Sequence, residues 1–514
     1  LLREFYGSRG FQPAWITDGV PRGDAHELLA TVDRAGEHGL HPNDYHAQDL
    51  HERLDASLAG QATVPELVDL ELLLTDAFFV YGSHLLRGKT DPELLHPDWK
   101  ASRRTTRLPE RLEQALAESR VRETLAGLAP SYPEYRRLQA SLLRYESGNR
   151  ASPAEFASAE SHAIPVEDPN TEWITVAEGG KLEPGGQDDR VPALRARLRA
   201  EGYRVGPEVM EPRIYDDSLA VAVREFQRRN GLDADGVVGT RTVQALARTL
   251  PSSLDRIRAN LERWRWLPDA LGAHHIRVNI AAFSVQVWDE GQVSLTIPCI
   301  VGKTARKSPV FSANMSYLVL NPTWTVPPRI LLQDKLPLIR KNPGYLTENG
   351  FEVLEGWGAD ARRVDPTTID WSQVGSGNMP YRLRQKPGEK NALGRVKFMF
   401  PNPYDVYLHD TPSRELFAKS ERTFSSGCIR VQDPVGLAVY LLRDTGSWDR
   451  AHIEQVLSAG TETTVNLPAS IPTHLLYFTA WADESGTTHF RKDVYERDDP
   501  LLRALDAPPP PEIG

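Results

Sequence analysis

Cysteine is nearly absent: 514 residues hold only Cys299 and Cys428. Two thiols cannot build a disulfide framework or a four-cysteine zinc site. An excess of positive charge is missing too. Sixty basic residues stand against 70 acidic ones, a formal net charge of −10. A general nucleic-acid coat needs a basic surface, so that class is excluded. No apolar run is long enough to read as a bilayer span. The chain opens Leu1-Leu2-Arg3 without Met, so any signal peptide or anchor would lie upstream. Metal-protease spacing (His-Glu-x-x-His) is absent, and His274 and His275, as neighbours on a strand, face apart. Gly302-Lys303-Thr304 invites a phosphate-loop reading, but the glycine required five positions earlier is Ile297. No metal or other cofactor is expected. What remains is an ordinary globular composition, 40% hydrophobic and 25% charged, with length for several domains.

The expected fold class is multidomain α+β. Residues 1–165 read as a helical scaffold. Leu67, Leu70, Leu74, Phe78 and Tyr81 recur three and four apart, which predicts an amphipathic helix over Pro65–Leu86 stopped by Gly88. Asp24 is expected to cap a helix carrying Leu28, Leu29, Val32 and Ala35. Another is expected over Tyr135–Tyr145. Residues 151–188, rich in Ser, Ala, Pro, Glu and Gly, read as a loose connection around a short ordered piece at Trp173–Val176. A compact three-helix segment is expected over 185–250. Its helices start at Val191, after Asp216, and at Thr240. Asp233 and Asp235 before Gly236 suggest a calcium loop. With Gly236 at the sixth loop position, the first and twelfth are Gly231 and Thr242, which supply no carboxylate, so a plain turn is expected.

From residue 274 the period changes from helix to strand. Ile276, Val278 and Ile280 alternate with polar residues, and Phe283, Val285 and Val287 continue in the other register, placing a turn or bulge near Ala281-Ala282. Further strands are expected at Val293–Val301, Ser316–Asn321, Val396–Phe400, Tyr404–Leu408 and Ile429–Val431. A hairpin is expected from His474–Trp481 to Thr487–Phe490. A helix is expected at Val435–Arg443, and a frayed tail at Pro508–Pro511. Residues 330–390, with Asn342-Pro343-Gly344, Gly356-Trp357-Gly358 and Gly375-Ser376-Gly377, do not read as strand. They are expected to form an inserted lid.

The two cysteines differ in their surroundings. Cys299 sits in an apolar run and reads as a small buried hydrophobe. Cys428 follows Ser425-Ser426-Gly427, where the backbone can approach a ligand closely. His409 lies earlier, at the end of an expected strand. An imidazole can take the thiol proton, and a third group must orient the ring. Asp410, adjacent to His409, would point to the opposite face of the strand, so a backbone carbonyl near Asp410 or Thr411 is the better partner. Amides at Gly427 and Cys428 could form an oxyanion hole. Spacing alone leaves open whether this pair is catalytic.

The string His409-Asp410-Thr411-Pro412 with Ser425-Ser426-Gly427-Cys428-Ile429-Arg430 resembles the signature of L,D-transpeptidases with the YkuD-like fold. Ala392-Leu393-Gly394 with Lys397-Phe398, Val301-Gly302-Lys303 with Ser308-Pro309 (Ser for Thr), and Asn321-Pro322-Thr323-Trp324 resemble further pieces of that family. Val191-x-x-Leu194, Phe226-Gln227 and Asp235-Gly236-x-x-Gly239 resemble a small peptidoglycan-binding domain. The opening Phe5-Tyr6 with Trp15 resembles the large Gram-negative members. The resemblance implies a β-rich catalytic domain over 251–500 with Cys428 as nucleophile, His409 as base, and the Gly427 amide polarising the carbonyl. It implies stem-peptide contacts from Arg430, Tyr407, Ser426, Arg395 and Lys397, although Tyr407 could equally be core. The implied reaction releases D-Ala from a tetrapeptide stem through a thioester and forms 3–3 crosslinks. The implied partners are peptidoglycan stems and glycan strands, other wall-synthesis proteins, and carbapenem β-lactams as acylating inhibitors. The implied location is the periplasm. Two alternatives stay open: an L,D-carboxypeptidase using the same pair, and a non-enzymatic wall-binding protein.

Overall fold

The computed structural model describes residues 1–147, 174–206, 211–342, 344–356, 358, 360–377 and 379–509. Most of the expected loose connection, and Pro510 and Pro511 of the expected tail, lie outside them. The chain divides into two compact units, Leu1–Ala270 with Phe478–Gly514, and Leu271–Tyr477.

In the first unit the long helix runs Val64–Arg87. Thr63 and Glu66 form a reciprocal capping box at its start. Leu70, Leu74, Phe78 and Tyr81 are buried, as their spacing predicts. The buried Glu71 on this helix anchors the opening segment: it accepts from Tyr6 Oη at 2.8 Å and from the Trp15 amide at 3.0 Å. Asp24 departs from expectation. The helix is Gly23–Val32 with Arg22 as its cap residue, and Asp24 pairs with Arg22 at 2.8 Å. An acid in the first turn meets the positive end of the helix dipole without being its cap.

Helices Val191–Ala200, Asp217–Arg229 and Thr240–Leu246 follow. Asp216 caps the second through the Leu219 amide at 2.9 Å. Leu194, Leu198, Val223, Phe226 and Leu246 share one buried core. Gln227 holds the Asp-Gly turn, donating to Asp235 Oδ1 at 2.9 Å and accepting from the Gly236 amide at 2.9 Å. The Asp235 carboxylate is thus spent inside the turn.

Residues 251–270 and 478–500, which the sequence groups with the catalytic segment, fall in the first unit. A buried polar seam holds them there. Arg263 pairs with Asp498 at 2.7 Å, and Asn260 accepts from the Thr479 amide at 2.9 Å. The expected strand His474–Trp481 is broken accordingly: one strand ends at Leu476, and Ala480–Ala482 pairs separately with Thr488–Phe490.

The second unit is built on strands β1 (His274–Asn279), β2 (Ser284–Asp289), β3 (Gln292–Gly302) and β4 (Phe311–Leu320). Its insertion carries β5 (Trp324–Thr325), β6 (Phe351–Glu355), β7 (Arg362–Val364) and β8 (Tyr381–Gln385). Then come β9 (Val396–Met399), β10 (Leu408–His409), β11 (Thr423–Ser425), β12 (Ile429–Val431) and β13 (Thr463–Leu476). Nine strands form one sheet in the order β11-β3-β12-β10-β9-β4-β13-β1-β2, and an added β2–β3 pairing closes it on itself. Closure leaves fewer free edges. Phe398, Leu408 and Ile429 are fully buried on one face of adjacent strands, so the opposite face is free to carry chemistry.

The insertion corrects the expectation that 330–390 lacks strands. It forms a four-stranded antiparallel sheet, β5-β8-β6-β7, over its own core of Trp324, Phe351, Val353, Leu383 and Trp371. Its strands are two to five residues long and rich in arginine, too short for an alternation to stand out.

Candidate active site

The site is a consequence of register. Lys397 on β9 pairs directly with His409 on β10, and His409 pairs with Arg430 on the parallel strand β12. Directly paired residues share a sheet face, so these three side chains form a row. Tyr407 and Cys428 stand two positions earlier on these chains, just before the strands, and Tyr407 contacts both His409 and Cys428. The Ile429 amide donates to the Tyr407 carbonyl at 3.1 Å, which keeps the two chains in step there.

Cys428 sits in a tight turn with Gly427 at φ 123°, a conformation that favours glycine. Ser425 staples this turn. Its hydroxyl donates to the Cys428 carbonyl at 2.6 Å and accepts from the Gly427 amide at 3.1 Å. Ser308, fully buried, donates to the Gly427 carbonyl at 2.7 Å and accepts from the Gly302 amide at 3.0 Å. The thiol donates to the Asp405 carbonyl, with sulfur and oxygen 3.7 Å apart. Asp405 has φ 52°, a strained conformation for a non-glycine residue, in a turn clamped by Asn402. The residues 404–407, expected as strand, are this turn. Burial pushes the Cys428 thiol up, against contrary pulls from Tyr407, Lys397 and Arg430.

His409 is 4% exposed. Its Nδ1 lies 2.5 Å from the Asp410 carbonyl oxygen. A carbonyl only accepts, so Nδ1 carries the proton and Nε2 keeps its lone pair. Burial and the nearby Arg430 bring the imidazole down to about 3, despite the Asp410 and Leu393 carbonyls pulling the other way. Both members of the pair are therefore neutral at rest. The Asp410 carboxylate is turned away, as its adjacency to His409 predicts. It accepts from the Arg395 amide at 2.8 Å, the Thr411 amide at 2.7 Å and Arg414 at 2.6 Å. A side chain at Gly394, which has φ 61°, would meet that carboxylate at 2.4 Å.

The structure gathers Lys397, Tyr407 and Arg430 around Cys428. Lys397 Nζ stands 4.1 Å from the Tyr407 ring centroid, and burial lowers its basicity. Tyr407 touches His409, with ring centroids 5.6 Å apart, and packs against the insertion's core. Arg430 Nε is buried without a hydrogen-bond partner among the described residues. Three expected residues behave differently. The Gly427 amide is engaged by Ser425 rather than open to a substrate. Arg395 offers its amide to Asp410 and leaves its side chain exposed. Ser426 accepts from Arg306 Nη1 at 2.9 Å.

Arg306 escaped the sequence reading. It forms a bidentate pair with Asp334 of the insertion, at 2.5 and 2.7 Å, and reaches Gln333 at 2.8 Å. Asn402 and Asp405 were missed as well, and Ser308 stood out only as part of the resemblance, without its role in the Gly427 turn. The one available signal was Pro401-Asn402-Pro403, a turn-forming string beside the expected strand. Among the described residues no group of three or more His, Cys, Asp or Glu side chains is placed to hold a metal ion. None of the described helices is long and apolar enough to cross a membrane.

Residues 273–457 match the YkuD family, the L,D-transpeptidase catalytic domain. Residues 187–246 match the family described as "Putative peptidoglycan binding domain", and residues 1–142 match the Scaffold domain. A Haemophilus influenzae protein named "Putative L,D-transpeptidase" is 35% identical over 263 residues, covering 50% of this chain and 52% of its own. The chain thus spans about half the length of that curated relative. The solved L,D-transpeptidase of Stackebrandtia nassauensis aligns at 11% identity and TM-score 0.23, over 59% of this chain and 96% of its own. That of Xylanimonas cellulosilytica aligns at 14% and 0.17, over 58% and 98%. Scores this low carry no argument, and the fold stands on this chain's own strands.

Proposed function

From a chain that carries an L,D-transpeptidase catalytic domain, a peptidoglycan-binding domain and a scaffold domain, we infer an acyltransferase of the cell wall that works through Cys428. One observation supports this reading: Tyr407 contacts both Cys428 and His409 on adjoining chains, and the Asp410 carbonyl holds the Nδ1 proton of His409 so that Nε2 can accept. Substrate binding excludes the remaining water, and the thiol proton passes to Nε2 as sulfur attacks. The carbonyl is that of a stem diamino acid joined to a terminal D-Ala. The sulfur–carbon bond forms, the bond to D-Ala breaks, and His409 returns the proton to the leaving amine. The side-chain amine of a second stem then attacks the thioester. A 3–3 amide forms, the sulfur–carbon bond breaks, and the amine's proton returns to the thiol. Arg430 and Lys397 receive the stem carboxylates by charge-assisted hydrogen bonds. The Cys428 amide polarises the carbonyl. The Gly427 amide joins it when the Ser425 hydroxyl turns away. The insertion acts as a lid. This work is done in the periplasm, and carbapenems acylate the same sulfur.

Incubation with a disaccharide-tetrapeptide, followed by mass spectrometry, tests the reading. Wild type is expected to give a crosslinked tetra–tri dimer and a thioester intermediate, and Cys428→Ala neither. A tripeptide alone would mean that water is the acceptor. No product and no thioester would overturn the proposal.

A further inference from the structure

The peptide unit that joins Gly427 to Cys428 is held at one end and open at the other. Ser308 is fully buried, and its hydroxyl stands between two backbone groups. It accepts from the Gly302 amide at 3.0 Å and donates its own proton to the Gly427 carbonyl at 2.7 Å. The segment that carries Ser308 lies close against β3, where a side chain at Gly302 would run into the Arg306 carbonyl and the Ser308 amide. Gly302 in turn pairs with Ser425 of β11, so Ser308 and the Cys428 turn share one support. A trans peptide sets its C=O and N–H in opposite directions. No cis bond occurs among the described residues. With the Gly427 carbonyl drawn onto buried Ser308, the Cys428 N–H points the other way. That N–H has no hydrogen-bond partner among the described residues. The Gly427 N–H differs, being taken by Ser425 at 3.1 Å. The turn thus offers one open amide and one closed one.

We propose that Ser308 is a positioning residue: by holding the Gly427 carbonyl, it aims the Cys428 N–H at the oxygen of the carbonyl under attack. The inference rests on the acyl-transfer reading and names the group that fixes its oxyanion donor. As sulfur bonds to the carbonyl carbon, the π pair moves onto oxygen, and that oxygen accepts from the Cys428 N–H. When the bond to D-Ala breaks, the pair re-forms the C=O and the nitrogen leaves with the proton from His409. Such a donor helps only if its direction is set beforehand, because turning it during the reaction would use up the gain. Without the Ser308 hydroxyl the Gly427 carbonyl loses its buried partner. Gly427, at φ 123°, has no side chain to resist a swing of the peptide. The thiol itself meets other groups, the Asp405 carbonyl and Tyr407, so its ionisation does not pass through Ser308.

The test separates two reactions of the same sulfur. Displacement of iodide from iodoacetamide needs the thiolate but builds no oxyanion, whereas acylation by a disaccharide-tetrapeptide needs both. The full chain is compared as wild type, Ser308→Ala and Ser308→Thr, the last of which keeps the hydroxyl. D-Ala release by Ser308→Ala is expected to be about ten- to a hundredfold slower at saturation, with KM little changed, as a misaimed oxyanion donor predicts. Its alkylation at Cys428 should match wild type across the pH range. Ser308→Thr should keep most of the release rate. Should Ser308→Ala not fold, Ser308→Cys, close in size and a weaker donor, should show the same split with a smaller loss. An unchanged release rate in Ser308→Ala would overturn the proposal. So would an equal fall in alkylation, which would mean a collapsed turn, or a Ser308→Thr as slow as Ser308→Ala. A wild type that releases no D-Ala and forms no thioester would instead sink the acyl-transfer reading, and this proposal with it.

Discussion

At the residue scale, the same side chain has two fates. Cys299 and Cys428 are both thiols, and burial raises both. Cys299 is fully buried, pushed up to about 12, and chemically idle. Cys428 is partly accessible, with Lys397, Arg430 and Tyr407 beside it. The imidazole at 409, brought down to about 3, is neutral throughout the neutral range. The resting pair is thus thiol and imidazole, not thiolate and imidazolium. Only the thiolate reacts with an alkylating agent. Iodoacetamide should therefore modify Cys428 at a rate that keeps rising beyond pH 9, with no plateau near pH 6–7. Peptide mapping across a pH series checks this, with Cys299 unmodified as the internal control. A plateau in the neutral range would mean that an ion pair forms without substrate.

At the element scale, the Cys428 turn and the insertion meet through one side chain. Arg306 lies just after β3, is 10% exposed, and spans from Ser426 to Asp334. The pairing lowers the Asp334 carboxyl and raises Arg306. Lysine is a point charge and cannot hold both carboxylate oxygens and Ser426 together. Arg306→Lys is expected to slow crosslinking by roughly tenfold, and Asp334→Asn by a similar amount. Because the two residues form one unit, the double variant should be little slower than either single one. A double-mutant cycle on the initial rate checks this, and additive losses would show that the clasp does not act as a pair. The sequence made much of this region legible. Cys428 and His409 stood out because a thiol behind Ser-Gly and an imidazole at a strand end are unusual neighbours for a core. The carbonyl partner of His409 followed from side-chain alternation. Arg306 did not stand out, because its partners come from positions far along the chain. The insertion's strands were hidden for another reason: a two- to five-residue strand bearing arginine on one face leaves almost no periodic signal.

At the scale of the whole molecule, the helical opening, the three-helix segment and the β-rich segment were each readable from their own periodicity. The fate of residues 478–500 was not. It depends on a buried seam between Asp498, Arg263, Thr479 and Asn260, which no local pattern announces. Buried histidines are a second property that appears only in the folded chain. His38 bonds to Tyr135 at 2.8 Å and His84 to Tyr45 at 3.1 Å, and burial brings each imidazole down to about 3. His409 is brought down alike, and His474 is lowered by burial as well. In the unfolded chain these rings take up protons near pH 6.5, while the folded chain refuses them. Below that value the unfolded state binds more protons, so stability must fall as the pH falls. From pH 6.5 to 5 each such ring costs about 2 kcal/mol at most, since a shift of one pH unit is worth about 1.4 kcal/mol. The urea midpoint should therefore drop steeply between pH 7 and pH 5. His84→Phe keeps an aromatic ring beside Tyr45 without a site for the proton, so it should flatten that slope while leaving the midpoint at pH 7 lowered or unchanged. An unaltered slope in His84→Phe would assign the acid sensitivity to other groups.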